Sequence, residues 1–160
     1  MKQLRIVVSS TRPGRIGPTV AEWVASQAPA SEWEVELLDL SSLPFFDEED
    51  MPRNGNYAKS HTKDWASKVF ESDAIVVVTP QYNRSFPAPI KNAIDYLFAE
   101  WDAKPIALVG YGWSGATGLV FTQDVSPAGE LDVTDERRAE LGALLDALAA
   151  KVDEPVGATA

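Results

Sequence analysis

The chain contains no cysteine, only one histidine and only two methionines. Without cysteine there is no disulfide, no thiolate metal ligand and no cysteine nucleophile. A lone imidazole, His61, argues against a histidine-based metal centre and against a Ser-His-Asp triad, and no serine occupies a G-x-S-x-G elbow. Positive charge is scarce: 14 Lys and Arg face 24 Asp and Glu, a net charge of −10. That balance argues against nucleic acid as a partner, because such binding rests on phosphate neutralisation. No apolar run reaches the length of a membrane span. The N-terminal M-K-Q-L-R-I-V-V-S-S offers four apolar residues at most, counting Leu4, too few for the core of a secretory signal. The expectation is a cytoplasmic protein with no membrane partner.

What is present reads as one folded domain of 160 residues, 45% apolar and 24% charged. It is expected to run over residues 1–153, with a loose tail from 154 to 160. Strands alternate with helices. Strands are predicted at Leu4–Val8, Glu34–Leu40, Ala74–Thr79 and Pro105–Gly110. Helices are predicted from Pro18 to about Gln27, around Trp65, Ala66, Val69 and Phe70 on one face, and around Ile90, Ile94 and Leu97 on one face. A final helix carries the stripe Leu141, Leu144, Leu145, Leu148 and Val152, with Thr134 as N-cap. Unbroken apolar strands in this order indicate an α/β protein, a doubly wound parallel sheet covered on both faces in three α/β/α layers. Residues 41–60 form an irregular connection of about 20 residues, a length that marks functional or mobile loops, and its acidic run Asp47–Asp50 reads as solvated. Only about 16 residues separate Gly118 from Thr134, too few for a helix and a fifth parallel strand. The sheet then has four parallel strands, or 119–123 joins it antiparallel, or a partner subunit completes its edge.

Ligands of doubly wound sheets bind beyond the carboxyl ends of the strands. Three loops lie there. The first supplies the hydroxyls of Ser9, Ser10 and Thr11, the guanidinium groups of Arg12 and Arg15, and a helix N-terminus after Gly17, with Pro18 at a favoured first helical position. Together they make an anion site suited to a phosphate monoester; the plain alternative is a hydroxyl-rich turn with solvated arginines. The second, Pro80–Pro89, concentrates Gln81, Tyr82, Asn83, Arg84 and Ser85, more hydrogen-bonding groups than a turn requires. It suits the polar edge of a flat ring system such as a flavin. The third, Tyr111–Gly118, contains Gly110-Tyr-Gly-Trp-Ser-Gly115, which matches G-x-G-x-x-G but is followed by no helical periodicity. It is read as glycines that let a flat ring approach the backbone, not as a dinucleotide fingerprint.

The stretches S-S-T-R-P-G-R-I-G-P-T-V-A-E-W, T-P-Q-Y-N-R-S-F-P-A-P-I-K-N-A-I-D-Y-L and K-P-I-A-L-V-G-Y-G-W-S-G-A-T-G resemble the NADPH-dependent FMN reductase family, from Leu4 to about Gly118. That family includes quinone, azo-dye and chromate reductases, and the resemblance implies a flavodoxin-like fold of strand order 2-1-3-4(-5). It implies FMN as cofactor and NAD(P)H as co-substrate. Ser10, Thr11, Arg12, Arg15, Gly17, Pro18 and Thr19 would surround the phosphate. Pro80, Gln81, Tyr82 and Asn83 would line the ring, with Ser85 nearby, and Gly112, Trp113, Ser114 and Gly115 would close its other side. Gln81 stands where the family usually has glutamate. The family's helix and start of strand 5 after the third loop are missing here, which shortens the region between strands 4 and 5. A homodimer or homotetramer is implied as well. The implied activity is hydride transfer from NAD(P)H through FMN to a quinone or similar small acceptor, with no catalytic acid or base and no metal. The alternative is an FMN-binding or electron-carrier domain without efficient turnover.

Overall fold

The computed structural model describes residues 1–112, 120–121 and 130–154. At its centre is a parallel sheet of order β2-β1-β3-β4-β5. The strands are β1 (Lys2–Val8), β2 (Trp33–Asp39), β3 (Ala74–Pro80), β4 (Ile106–Gly112) and β5 (Val120–Phe121). The helices are α1 (Gly17–Gln27), α2 (Ser60–Phe70), α3 (Ala88–Asp95) and α4 (Asp135–Asp153). In the two central strands both faces are buried, which is why L-R-I-V-V and A-I-V-V-V do not alternate. Leu4 is in register with Val35 on one side and Ala74 on the other. Leu4, Ile6, Val8, Val76 and Val78 face α1 and α4; Val7, Ile75 and Val77 face α2 and α3.

The last helix is as expected. Thr134 Oγ1 accepts from Arg137 N at 3.3 Å, and Leu141, Leu145 and Leu148 are buried, with Leu144 and Val152 packed against the same cluster. Two predicted stripes need correction. Phe70 is 72% exposed, because the chain leaves α2 there; Lys104 Nζ lies over its ring and donates to its carbonyl. Ile94 is 44% exposed, and Ala93 and Tyr96 take the inner face of α3 together with Ile90 and Leu97.

The fifth strand joins parallel, with Tyr111 opposite Val120 and Gly112 opposite Phe121. It is two residues long, so the chain has to retrace only about 7 Å to enter it in parallel, within reach of a connection far shorter than a crossover helix. The sheet is not fully covered. Ile106 and Leu108 are in register with Ile75 and Val77 and share their face, yet are 47% and 67% exposed. The cluster that packs α2 and α3 against the sheet includes no residue of β4.

The long connection is anchored by its own acidic residues. Glu48 accepts the backbone N–H groups of Ala58 and Lys59, each at 2.9 Å, just ahead of α2, whose N-cap residue Lys59 supplies no side-chain cap. Asp50 accepts from Met51 N, Asn54 Nδ2 and Asn56 Nδ2. Asp47 pairs with His61 and Lys59. From α3, Asn92 donates to Pro44 O at 2.7 Å and accepts from Phe46 N at 2.8 Å, while Tyr96 Oη donates to Phe45 O at 2.9 Å. The acidic run is therefore a set of staples for the loop as well as a solvated surface.

Candidate functional site

The carboxyl ends of β1, β2, β3 and β4 bring together Ser10, Asp39, Pro80 and Tyr111. Two hydrogen bonds join the loops that leave them. Ser10 and Tyr82 share a hydroxyl–hydroxyl bond of 2.8 Å, and Gln81 N donates to Tyr111 O at 3.0 Å. The first predicted loop thus meets the second through side chains, and the second meets the end of β4 through backbone.

In the first loop Ser10 is buried, Thr11 and Arg12 are exposed, and Arg15, Pro18 and Thr19 are partly buried. The two arginines differ. Arg15 Nη2 lies 2.5 Å from Asp39 Oδ2 at the end of β2, whereas the Arg12 guanidinium makes no ion pair or hydrogen bond with the described residues, its carbonyl alone accepting from Arg15 N at 3.1 Å. Burial works to raise the Asp39 carboxyl, but hydrogen bonds from Ser41 and from Arg15 outweigh it and hold the group below the usual carboxylate range. Helix α1 begins without any side-chain cap, at Gly17 with Pro18 next, so its first N–H groups are uncommitted and its positive end faces the loop. Gly17 is required by contact: a Cβ there would lie 2.8 Å from Tyr111 Oη and 3.1 Å from Val8 Cγ1.

The second loop is a tight turn rather than a plain irregular connection. Tyr82 and Ser85 exchange backbone hydrogen bonds at 2.9 Å in both directions, and the central pair, Asn83 and Arg84, has φ of 50° and 64°. Positive φ at both central positions is the primed-turn geometry, which asparagine tolerates and arginine resists. Pro80 is buried as the last residue of β3, Gln81 is partly buried, and Tyr82 is 37% exposed.

Of the third loop, Tyr111 and Gly112 belong to β4, as does Gly110, the first glycine of the G-x-G-x-x-G match. The predicted contacts Trp113, Ser114 and Gly115 lie outside the described residues. Tyr111 itself is not among the residues that sequence reasoning singles out. Its signal is the i, i+2 alternation Ala107, Val109, Tyr111, which puts its side chain on the inner face toward α1. In the sequence Asp39 reads only as a strand end, and Asn92 and Tyr96 only as part of a helix.

Between these loops is a cleft of about 140 Å³ lined by Thr11, Leu40, Ser41, Leu43, Phe45, Pro89 and Asn92. It is smaller than the ~300 Å³ of a typical closed ligand pocket, so a large ring would lie against an open surface here. A larger hollow of about 370 Å³, bounded by β2 and α2 from Leu37 to Lys68, meets the loops only at Asp39, Leu40 and Leu43. Among the described residues there is no cluster of three or more potential metal ligands.

This arrangement is that of a flavodoxin-like protein: a 2-1-3-4-5 parallel sheet with an uncapped α1 N-terminus at its carboxyl edge. Solved structures agree on the fold. FerB, a flavoenzyme NAD(P)H:(acceptor) oxidoreductase from Paracoccus denitrificans, superposes with a TM-score of 0.70 at 22% identity, covering 95% of this chain and 97% of that one. Residues 1–135 match the profile of the NADPH-dependent FMN reductases, and the chain belongs to that family. An NAD(P)H-dependent FMN reductase of Schizosaccharomyces pombe is 39% identical over 118 residues, which are 71% of this chain and 59% of that protein. A 2-hydroxy-1,4-benzoquinone reductase of a Burkholderia species is 30% identical over 129 residues, 76% of this chain and 66% of that protein. The match thus spans about three fifths to two thirds of the length of these relatives. FMN is the cofactor of the family and NAD(P)H its co-substrate. Among the described residues, no helix is long and apolar enough to cross a membrane.

The residues fit an FMN phosphate. An unpaired guanidinium, an uncapped helix start, a glycine where a side chain would collide, and a buried tyrosine hydroxyl without a partner all converge at the first loop.

Proposed function

We propose that residues 1–153 form one FMN-binding domain that works as an NAD(P)H-dependent reductase of a quinone or similar small acceptor. The observation that carries this reading is the uncommitted Arg12 beside the uncapped N-terminus of α1, joined through the Ser10–Tyr82 bond to the strained turn of the second loop. Ser10, Thr11, Arg12, Gly17 and Thr19 would hold the phosphate by hydroxyl, guanidinium and backbone donors, with Pro18 starting the helix beside it. Arg15, tied to Asp39, would act chiefly by fixing the loop. Pro80, Gln81, Tyr82 and Asn83 would border the ring, with Ser85 closing the turn and Gly112 to Gly115 opposite.

FMN, when bound, supplies the hydride chemistry between the nicotinamide and the acceptor. The chain's own work is binding and orientation. No side chain among the described residues of the site is arranged as an acid–base pair, and Tyr111, whose burial pushes it up to about 12, stays protonated throughout the physiological range. Relatives named for quinone reduction support the acceptor class. Self-association as a homodimer or homotetramer belongs to the same reading, and the uncovered Ile106 and Leu108 are the apolar surface it would bury.

The test starts with the absorbance spectrum of the purified protein and an FMN titration. Steady NAD(P)H oxidation with a benzoquinone is then expected. A protein that takes up no FMN would sink the reading. One that binds FMN but does not turn over would leave the electron-carrier alternative.

A further inference from the structure

Tyr111 is 6% exposed, and its hydroxyl oxygen is buried with no hydrogen-bond partner. A phenylalanine would fill the same space without that cost, since a buried hydroxyl left unpaired forfeits the bonds it made to water. The hydroxyl points at a particular place: a Cβ on Gly17, the first residue of α1, would lie 2.8 Å from it and 3.8 Å from the ring carbon that bears it. The Ser10 hydroxyl, which bonds Tyr82, is near enough to act on the phenol but does not meet it in hydrogen-bond geometry. Arg12 and Arg15 also act on it from the loop above. The full charges that act on the phenol are thus cations. What the hydroxyl lacks is a partner, and beside two guanidinium groups an anionic acceptor suits it best.

We propose that the Tyr111 hydroxyl is a buried ligand of the phosphate monoester, donating its proton to a phosphate oxygen from beneath the first loop. The inference rests on the FMN reading above and extends it to a residue on β4. It explains why Gly17 and Tyr111 occur together. The glycine leaves room for the hydroxyl, and the hydroxyl completes a cradle whose other donors are the start of α1 and Arg12. Burial raises the phenol and keeps it a donor through the physiological range.

Tyr111→Phe removes the oxygen and nothing else. Fluorescence titrations with FMN and with riboflavin, which lacks the phosphate, are compared in the wild-type and variant proteins. The variant is expected to bind FMN roughly ten-fold or more weakly, the usual loss for a hydrogen bond to a charged group, with riboflavin affinity unchanged. The flavin-free variant is expected to melt no lower than the wild type, because an unpaired buried hydroxyl has been removed. Equal weakening of both flavins, or no weakening of FMN, would overturn the proposal and leave Tyr111 as a packing residue or a water-bound one. If the wild type itself fails to take up FMN, the functional reading falls first and this inference with it; a wild type that binds FMN only as tightly as its variant overturns this inference alone.

Discussion

Arg15 and Asp39 close a bridge of 2.5 Å between the first loop and the end of β2. Two arginines that look equivalent in S-S-T-R-P-G-R-I-G are thereby assigned different work. Arg15 ties the loop to β2, whereas the Arg12 guanidinium has no partner among the described residues.

Arg12→Ala is expected to weaken FMN by about 1.5–3 kcal/mol, the range for a charge-assisted bond. Arg15→Ala and Asp39→Ala should each cost less, and a double-mutant cycle between them should give a coupling of about 0.2–1 kcal/mol, since Asp39 is exposed. Flavin fluorescence titration measures all three. Equal losses for Arg12→Ala and Arg15→Ala would mean that both guanidinium groups reach the ligand.

Gly17→Ala is expected to destabilise the fold by about 1–3 kcal/mol, because the new methyl would press on Tyr111 Oη and Val8 Cγ1 in a packed interior. Tyr111→Phe in the same chain should recover part of the loss. Urea denaturation of the two single variants and the double variant decides it, and a Gly17→Ala variant as stable as the wild type would contradict the packing described.

Arg84 has φ of 64° in the turn that faces the site. Replacing it by glycine should stabilise the flavin-free protein by up to about 1 kcal/mol, as relief of left-handed strain exceeds the added freedom of the unfolded chain. Asn83→Gly should gain less, since asparagine tolerates that conformation. Thermal melts compare them, and a loss of stability in Arg84→Gly would show that the arginine side chain supports the turn.

The carboxylate staples of residues 41–59 give a pH dependence with a definite sign. The nearby Thr62 hydroxyl and the N–H groups of Ala58 and Lys59 hold Glu48 below its ordinary value, and Asn56, Asn54 and Met51 N–H do the same for Asp50. A carboxyl depressed in the folded state contributes fully above its unfolded pKa, about 4, and its contribution is lost as pH falls through the lower folded value. Near-ultraviolet circular dichroism, whose aromatic signal includes Tyr57 and Tyr96 at this loop, should therefore stay constant down to about pH 4 and change below it. A change centred at about pH 5 or higher would assign the transition to other groups. Glu48→Gln should remove part of the acid step.

Leu108→Asn tests the uncovered face of β4. In a monomer this 67%-exposed position should tolerate the change within about 0.5 kcal/mol, whereas Leu141→Ala in the buried cluster should cost about 2–5 kcal/mol. Sedimentation velocity on the wild type and on Leu108→Asn then shows whether the face is buried between copies: a shift toward monomer in the variant supports it, and identical behaviour removes it.

By itself the sequence determined four strands of the sheet and most of its covering, but not that β5 joins parallel. Apolar runs that never alternate point to burial on both faces, as β1 and β3 bear out, and periodic leucines after Thr134 point to a capped helix; both follow from local pattern. The three loops could likewise be located by their polar and glycine content at the strand ends. The tertiary structure decided what those patterns cannot encode, which is pairing between residues far apart in the chain. Only the fold brings Asp39 to Arg15, Glu48 to the start of α2, Asn92 and Tyr96 to the long connection, and Tyr111 beneath Gly17. The same holds for β4: Ile106 and Leu108 read as interior strand residues, and it is the lack of packing from α2 and α3 that leaves them exposed. Local spacing sets which face a side chain takes; whether anything meets it there is settled by the packing of distant elements.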